Sequence, residues 1–335
     1  MAQNQVIRWG ILSTANIACE KVIPAIHACT SSDVHGIASR DAAQAKRYAE
    51  KLSIEQSYGS YEELLADPNI DAIYNPLPNH LHVNWTLKAI AAGKHVLCEK
   101  PIALNAAEAK QLNVALLAAP HIKVMEAFMY RFHPQWQKAK QIIDKGLIGS
   151  INHIDAHFSF FNADPSNVRN QSGIGGGSLM DVGCYCISAA RYLLDLQPKR
   201  VLACMINDSV FNIDKHCTGM LDFGSATATF NSSMQSQAAQ QVCIYGEQGM
   251  LRLASPFYQS TLQTTQLILQ QGDDTQTYEF APCDQYANQI DAFANAIKQQ
   301  QSVPTPLYDA IANMQVIDAL VLSHQQKQWV EIHTT

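Results

Sequence analysis

Near its amino end the chain reads Val6-Ile-Arg-Trp-Gly-Ile-Leu-Ser-Thr-Ala-Asn-Ile-Ala18, an apolar run followed at once by a turn of small residues. The run Val6 to Leu12 has the composition of a buried strand, and the following Ile17 to Ala28 is amphipathic like a helix. A strand that leads through a tight turn into a helix is typical of dinucleotide-binding folds, in which backbone N–H groups approach a pyrophosphate. We therefore expect a nucleotide-binding domain to begin here.

The same alternation of strand and helix continues through the first 126 residues. Further strands are indicated at Val34 to Ala38, Ile70 to Tyr74 and Val96 to Cys98, with helices at Ala42 to Lys51 and His82 to Ala92. Such alternation predicts a parallel sheet with right-handed crossovers, and 335 residues are enough for two cores. We assign residues 1–126 to a Rossmann domain of an α/β protein.

Residues 127–335 have a different pattern and are assigned to a second, α+β domain. One helix, Pro134 to Lys145, precedes strand-like segments that are separated by turn signals, as in antiparallel sheets. These segments are Ile151 to Phe160, Val201 to Ile206, Thr218 to Phe223 and Ala226 to Ser232; Ile290 to Gln299 and Ala310 to Ser323 are expected as closing helices. The Gln-rich patches around Gln235 to Gln241 and Gln299 to Gln301 are interpreted as solvated surface.

Composition excludes several classes of partner. The net charge of -6, with no basic stripe, argues against nucleic acid, and no apolar run has membrane-spanning length. Met1 to Arg8 lacks the pattern of a signal peptide. The nine cysteines contain no CxxC pair, and the Cys184/Cys186 pair has no partner motif, so we expect a reduced, cytoplasmic protein without a metal site.

The turn after the first strand supplies the first candidate cofactor residues: Ser13, Thr14, Ala15, Asn16 and Ile17. In the GxGxxG frame, Ser13, Ala15 and Ala18 occupy the glycine positions. Both leading glycines are replaced, so an ordinary turn of small residues remains the alternative. The position of the turn, directly after the first strand, favours phosphate binding.

Ser39 and Arg40 stand where the second strand ends, about twenty residues further on. NAD enzymes place an acidic residue there to bind the ribose 2′-hydroxyl, whereas a hydroxyl and a guanidinium suit a 2′-phosphate. These residues therefore favour NADP over NAD. The alternative is a solvated Arg40 at the start of the next helix, with Asp41 as its cap.

Three later segments resemble the Gfo/Idh/MocA oxidoreductases: Pro78-Asn-His-Leu-His82, Gly93-Lys-His-Val-Leu-Cys-Glu-Lys-Pro101 and Gly175-Gly-Gly-Ser-Leu-Met-Asp-Val-Gly-Cys-Tyr185. The likeness extends over nearly the whole chain. It implies a Rossmann domain, a second domain built on a large, mostly antiparallel open sheet, and a sugar-like substrate between the two. Relatives use such a sheet for contacts between subunits, so we expect a homodimer or homotetramer that covers an apolar sheet face.

The resemblance also implies site residues. The family's active-site lysine corresponds to Lys100, and its Asp-x-x-x-His pair corresponds to Asp181 and, in place of the histidine, Tyr185. That replacement resembles the branch of glucose–fructose oxidoreductase, D-xylose dehydrogenase and dimeric dihydrodiol dehydrogenase. Further cofactor contacts are expected from Leu77, Pro78, Asn79, His82, Glu99 and Lys100, although a helix N-cap is an equal alternative for Asn79. Expected substrate contacts are Tyr130, Arg131, His133, Phe160, Asn162, Asp181 and Tyr185.

Chemistry supports these assignments. Oxidation of an alcohol requires a base for the hydroxyl proton, and a lysine ammonium near a tyrosine stabilises the phenolate. Asp181 and Tyr185 share one face if their segment is helical. The alternatives are a half-buried aromatic for Tyr185 and a helix cap for Asp181. At the level of the whole protein, the resemblance implies an NADP-dependent dehydrogenase or reductase that transfers a hydride between NADP and a CH–OH or C=O group of a sugar, polyol or cyclic diol. The competing hypotheses are an inactive NADP-dependent sensor and a nicotinamide enzyme of unrelated substrate class, such as a biliverdin reductase.

Overall fold

The computed structural model describes residues 6–332; residues 1–5, the start of the segment without a signal-peptide pattern, lie outside the described residues. The chain forms two compact units. Unit 1 contains the described residues up to Met129 together with Asp284–Ile311. Unit 2 contains Tyr130–Cys283 and the described residues from Ala312 onward. The segment 284–311 therefore belongs with the first unit, in contrast to the predicted continuous domain of residues 127–335.

Unit 1 is built on a parallel sheet of six strands in the order β3-β2-β1-β4-β5-β6. Its strands are β1 (Ile7–Leu12), β2 (Ser32–Ala38), β3 (Gln56–Tyr58), β4 (Ala72–Asn75), β5 (His95–Cys98) and β6 (Val124–Glu126). Its helices are α1 (Ile23–Ala28), α2 (Ala42–Leu52), α3 (Tyr61–Ala66), α4 (His82–Ala91), α5 (Ala106–Ala118) and the later α8 (Gln285–Lys298). This order confirms the predicted Rossmann fold.

Helix α8 joins unit 1 because it packs against β1 and forms hydrogen bonds with the segment before β2. The Phe293 ring packs on Trp9 with centroids 5.7 Å apart, and both side chains are fully buried. Cys29 Sγ lies 3.5 Å from the carbonyl oxygen of Ala287, and Ser31 donates a short hydrogen bond to Asp291. These contacts lie more than 250 residues apart in sequence, so local patterns did not indicate them.

Unit 2 is built on a nine-stranded sheet in the order β14-β13-β12-β11-β7-β10-β9-β8-β15, antiparallel except for the β7–β10 pair. The strands are β7 (Ile151–Phe161), β8 (Arg200–Asn207), β9 (Asp214–Asp222), β10 (Thr227–Ser233), β11 (Gln235–Gly246), β12 (Met250–Leu253), β13 (Thr265–Gln271), β14 (Asp274–Phe280) and β15 (Val330–Glu331). The helices are α6 (Pro134–Asp144), α7 (Cys184–Leu194) and α9 (Leu307–Gln326), which begins in unit 1. The prediction of a large, mostly antiparallel sheet is confirmed.

Two expectations about this sheet can be compared with the structure. The Gln-rich patch at Gln235 to Gln241 is part of strand β11, where its backbone pairs with β7 while several of its side chains stay exposed. The expected apolar sheet face is polar at its centre, because His153 bonds to Thr227 and Thr229, and Thr229 donates to Asp155. Among the described residues, the helices are too short or too polar for any of them to span a membrane.

Candidate active site

The turn after β1 adopts the backbone conformation that a phosphate-binding glycine would supply. Ser13 has a φ of 82°, in the left-handed region that non-glycine residues rarely adopt. Its N–H donates to Ala38 O, and its hydroxyl accepts from the N–H of Ala15. Thr14 Oγ1 accepts from Gln44 on α2 at 2.9 Å, which ties the turn to the next helix. A wide helical turn, Ala18–Val22, follows.

The end of β2 presents the residues expected to select the cofactor. Ser39 is buried, and its hydroxyl accepts from the N–H of Asp41, whereas Arg40 is exposed. Asp41 caps α2 by accepting from the N–H groups of Ala43 and Gln44. The Asp41 cap and the exposed Arg40 of the alternative interpretation are thus both present. Neither feature prevents the Arg40 guanidinium from binding a 2′-phosphate at the surface.

The turn after β4 is fixed from inside the unit. Asn75 is fully buried; its Oδ1 accepts from the N–H of Leu77, and its Nδ2 donates to His82 O and Thr86 Oγ1. A short helical turn, Asn79–Leu81, starts after Pro78 and leads directly into α4. Pro78 and Asn79 are partly exposed, while Leu77 is buried.

His82 lies beneath this turn and not at the surface. It is 1% exposed, and its ring nitrogens lie 2.6 Å from Leu77 O and 2.7 Å from Pro101 O. Burial lowers its pKa to about 4. In this arrangement the side chain is enclosed by its own unit, which does not favour the expected direct contact with the cofactor.

Glu99 and Lys100 follow the end of β5 and are both partly exposed. Tyr74 donates to Glu99 Oε1 at 2.6 Å, and the Glu99 N–H donates to Asn75 O. The Lys100–Pro101 peptide bond is cis. The candidate cofactor residues of unit 1 therefore follow the carboxyl ends of four adjacent strands, β2, β1, β4 and β5. This edge is where open α/β sheets bind their ligands.

In unit 2, Asp181 and Tyr185 lie on one continuous helical segment. Asp181 belongs to a wide turn, Leu179–Gly183, whose hydrogen bonds span five residues, and Tyr185 belongs to α7 directly after it. Single wide turns of this kind occur frequently at functional sites. Arg169 Nε donates to Asp181 Oδ2 at 2.9 Å. Asp181 is therefore paired with a cation of its own unit.

Tyr185 is 6% exposed and its ring is surrounded by aromatic side chains of unit 2. The rings of Phe158 and Phe257 lie with their centroids 5.5 Å from that of Tyr185, and Tyr130 lies 5.8 Å away. Such packing fixes the direction in which the ring points. The burial matches the aromatic alternative and also suits a tyrosine that must hold one position.

Asp214 anchors the segment that carries Asp181 and Tyr185, and sequence inspection did not identify it. Its Oδ2 accepts from Ser178 Oγ at 2.8 Å and from the N–H of Leu179 at 2.7 Å. Burial raises its pKa to about 6. Gly177 has a φ of 114°, and a Cβ at that position would collide with Asp214 Oδ1. No local signal distinguishes Asp214, because its partners lie some 35 residues away.

Three of the expected substrate residues have partners within unit 2. The Tyr130 hydroxyl and the Arg131 guanidinium both bond to Ser188 Oγ, at 2.8 and 2.7 Å. His133 caps α6 by accepting from the Gln135 N–H, and burial lowers its pKa to about 4. All three are 9% exposed or less, so packing accounts for their presence, and substrate contact stays a prediction.

Phe160 and Asn162 lie at the end of β7 and just beyond it. Both are partly exposed. Asn162 Oδ1 accepts from the Asp164 N–H and from Asn170 Nδ2, which closes the loop before Arg169. Within residues 6–332, no three His, Cys, Asp or Glu side chains are grouped so as to hold a metal ion.

Comparison with known families gives matches over most of the chain. Residues 7–128 match the model described as "Oxidoreductase family, NAD-binding Rossmann fold", and residues 136–252 match "GFO/IDH/MocA C-terminal domain". The D-xylose 1-dehydrogenase (NADP(+)) 2 of Haloferax volcanii is 36% identical over 326 residues, which are 97% of this chain and 99% of that protein.

Solved structures resemble the whole chain. The 3-ketoreductase KijD10 of Actinomadura kijaniata, in complex with NADP and TDP-benzene, superposes with a TM-score of 0.89 at 28% identity, covering 95% of this chain and 98% of that one. Structures of the same reductase include mutants with a tyrosine or a lysine replaced. An aldose–aldose oxidoreductase of Caulobacter crescentus complexed with glycerol gives a TM-score of 0.91 at 26% identity, covering 98% and 100%.

Proposed function

The chain belongs to the Gfo/Idh/MocA family of NAD(P)-dependent oxidoreductases, and from that premise we propose that it interconverts a hydroxyl and a carbonyl of a free aldose or related polyol. The predicted family and enzyme class are confirmed, and the NADP prediction agrees with the relatives that bind or use NADP. The proposal also assigns the residues that bind the cofactor and transfer the proton. One observation carries it: the candidate cofactor segments and Lys100 all follow adjacent strand ends at one edge of the unit 1 sheet.

NADP fits the residues present. The left-handed turn at Ser13 brings backbone N–H groups to the end of β1, where a pyrophosphate is bound in such folds. Arg40, exposed at the end of β2, supplies the cation for a 2′-phosphate, and no acidic residue takes the position of a ribose 2′-hydroxyl ligand. When bound, NADP supplies or accepts the hydride.

Side chains of the protein are proposed to transfer the proton of the substrate hydroxyl. We assign Tyr185 as the acid–base group that exchanges a proton with the substrate oxygen. Lys100 is assigned as the cation that stabilises negative charge on the Tyr185 phenolate oxygen and on the substrate oxygen. Asp181 is assigned to hydrogen bonding with a substrate hydroxyl, in competition with Arg169. Tyr185 is held by aromatic rings, which favours a single orientation of its hydroxyl.

A free sugar is preferred over a nucleotide-linked one because of the charge near Asp181. A nucleoside diphosphate is bound by cationic side chains. The Arg169 guanidinium, which could bind such a diphosphate, is already paired with the Asp181 carboxylate at 2.9 Å. The sugar dehydrogenase relative also covers more of the chain at higher identity than the TDP-binding structure does. Aldopentoses are therefore the first substrates to test.

The experiment is a screen for absorbance change at the reduced-nicotinamide band. Aldoses, polyols, cyclic diols and a dTDP-sugar are each offered with NADP and with NAD, and the Lys100→Met variant serves as the control. Turnover of a free sugar with NADP by the parent alone supports the proposal. Turnover of the dTDP-sugar only would replace the substrate class. NADP binding without turnover of any substrate would instead support the sensor hypothesis.

We further propose a homo-oligomer that works in the cytoplasm. The exposed face of the nine-stranded sheet combines the polar centre with partly exposed apolar side chains, namely Ile206, Met220 and Tyr245, 39–53% exposed. Such a mixed surface suits a subunit interface. The reducing compartment follows from the scattered, odd number of cysteines.

A further inference from the structure

His82 connects the turn after β4 with the turn after β5, the two turns of unit 1 that contain the candidate cofactor residues Leu77 to Asn79 and Glu99 to Lys100. It is the first residue of α4, its side chain is buried, and its ring lies between Leu77 O of the turn after β4 and Pro101 O of the turn after β5. The two carbonyl oxygens are 2.7 Å or less from the ring nitrogens. Pro101 directly follows Lys100, so this contact fixes the backbone next to the proposed catalytic lysine.

The backbone around Lys100 is anchored on both sides. Before it, the Glu99 N–H donates to Asn75 O and Tyr74 donates to the Glu99 carboxylate. After it, the His82 ring nitrogen Nδ1 lies 2.7 Å from Pro101 O, and the Ile102 N–H donates to Glu126 Oε1 at 2.7 Å. The lysine side chain thus extends from a short segment whose neighbouring residues are each held by a buried or half-buried group.

His82 does not have the properties of an acid–base group. Its side chain is enclosed, and carbonyl oxygens only accept hydrogen bonds, so the ring faces acceptors at both nitrogens. Burial, and secondarily the nearby Lys100 charge, lower its pKa to about 4, so the ring is neutral at pH 7. A neutral imidazole donates one N–H, and its tautomer decides which carbonyl receives it. The ring therefore connects the two turns through one hydrogen bond to a carbonyl oxygen and one close contact with the other carbonyl oxygen.

We propose that His82 is a positioning residue for catalysis: by bridging Leu77 O and Pro101 O, it sets the position of Lys100 relative to the cofactor turn after β4. This role rests on the proposed function of Lys100. Loss of the bridge lets the Lys100–Pro101 segment shift, and displacements of about 1 Å at a catalytic group lower rates by roughly 100-fold.

The first test compares His82→Gln with the matched control His95→Gln. His95 begins β5, the strand whose other end leads to Glu99 and Lys100; like His82 it is largely buried, with its pKa lowered to about 4 by burial, and its Nδ1 accepts from the Lys123 N–H. Both variants should lose thermal stability. His82→Gln should in addition lower kcat about 10- to 100-fold with little change in KM and shift the pH–rate profile, whereas His95→Gln should keep both. Parental kcat and pH profile in folded His82→Gln would overturn the positioning role.

The second test separates the positioning role from the proposed function. If His82 acts through Lys100, the double variant His82→Gln/Lys100→Met should be no slower than Lys100→Met alone, while independent effects would multiply. Multiplying effects would refute positioning and leave the catalytic lysine intact. Parental activity of Lys100→Met would refute the proposed function itself.

A third measurement does not need His82 to be replaced, and it decides the question if His82→Gln fails to fold. In protein labelled with ¹⁵N-histidine, the ring resonances of His82 should shift in Lys100→Met, while those of His95 stay in place. Unchanged His82 resonances in that variant would show that the bridge and Lys100 are not coupled, and the positioning proposal would be rejected.

Discussion

Replacing Asp214 by asparagine should change how the stability of the protein depends on pH. Burial raises the pKa of this carboxyl from 3.8 to about 6, so the folded state binds its proton more tightly than the unfolded chain does. The associated stability is fully present below about pH 4 and is lost as the pH rises to about 6. Two pH units at 1.36 kcal/mol each give about 3 kcal/mol, or about 2 kcal/mol after allowance for partial exposure.

The assay is urea unfolding of the parent and of Asp214→Asn between pH 4 and pH 8. Relative to the parent, the variant should gain about 2 kcal/mol in its free energy of unfolding on going from pH 4 to pH 7, because asparagine does not ionise. Asp164→Asn is the control, since that carboxyl is exposed and its pKa is lowered by Ser166. A difference between variant and parent that is the same at pH 4 and at pH 7 would refute the burial argument.

Four further outcomes follow from the proposed function and assembly. Tyr185→Phe should lower kcat by about 10²- to 10⁴-fold with NADP affinity nearly unchanged, and Lys100→Met should cost at least as much; steady-state kinetics and cofactor titration check both. Arg40→Asp should weaken NADP binding by about 2–4 kcal/mol but not NAD binding, and equal NADP affinity in calorimetry would reject the assignment. Sedimentation at micromolar concentration should give an oligomer, and a monomer would count decisively against the sheet-face interface.

The parallel half of the fold could be predicted because its signals are local. The apolar run of β1, the small-residue turn and the Asp41 cap of α2 all lie within a few residues of the elements they define. The Gln-rich first half of strand β11 was predicted to be solvated surface, and its side chains are exposed or partly exposed, but the strand itself was not predicted. Its strand character comes from pairing with β7, some 80 residues away, and such pairing leaves little trace in local composition.

The candidate site shows the same contrast between features with local sequence signals and features that depend on distant residues. Sequence motifs predicted the residues that chemistry requires, such as Lys100 and Tyr185, but not the groups that hold them. Asp214 is an isolated carboxylate in the sequence, and its function as an anchor depends on Ser178 and Leu179 in a different element. His82 was predicted as a cofactor contact because it lies in a motif next to Asn79. Its burial beneath the turn could be seen only in the folded unit.

The burial of His82 also narrows which group could replace Tyr185 as the proton carrier. A residue that exchanges protons with a substrate needs access to it and a free ring nitrogen, and both ring nitrogens of His82 face main-chain oxygens within 2.7 Å. A pKa of about 4 would also make it a weak base at neutral pH. If Tyr185→Phe retained substantial activity, the proton role would therefore pass to Lys100 or to water held by it. The pH–rate profile of Tyr185→Phe would then report a lysine-type group.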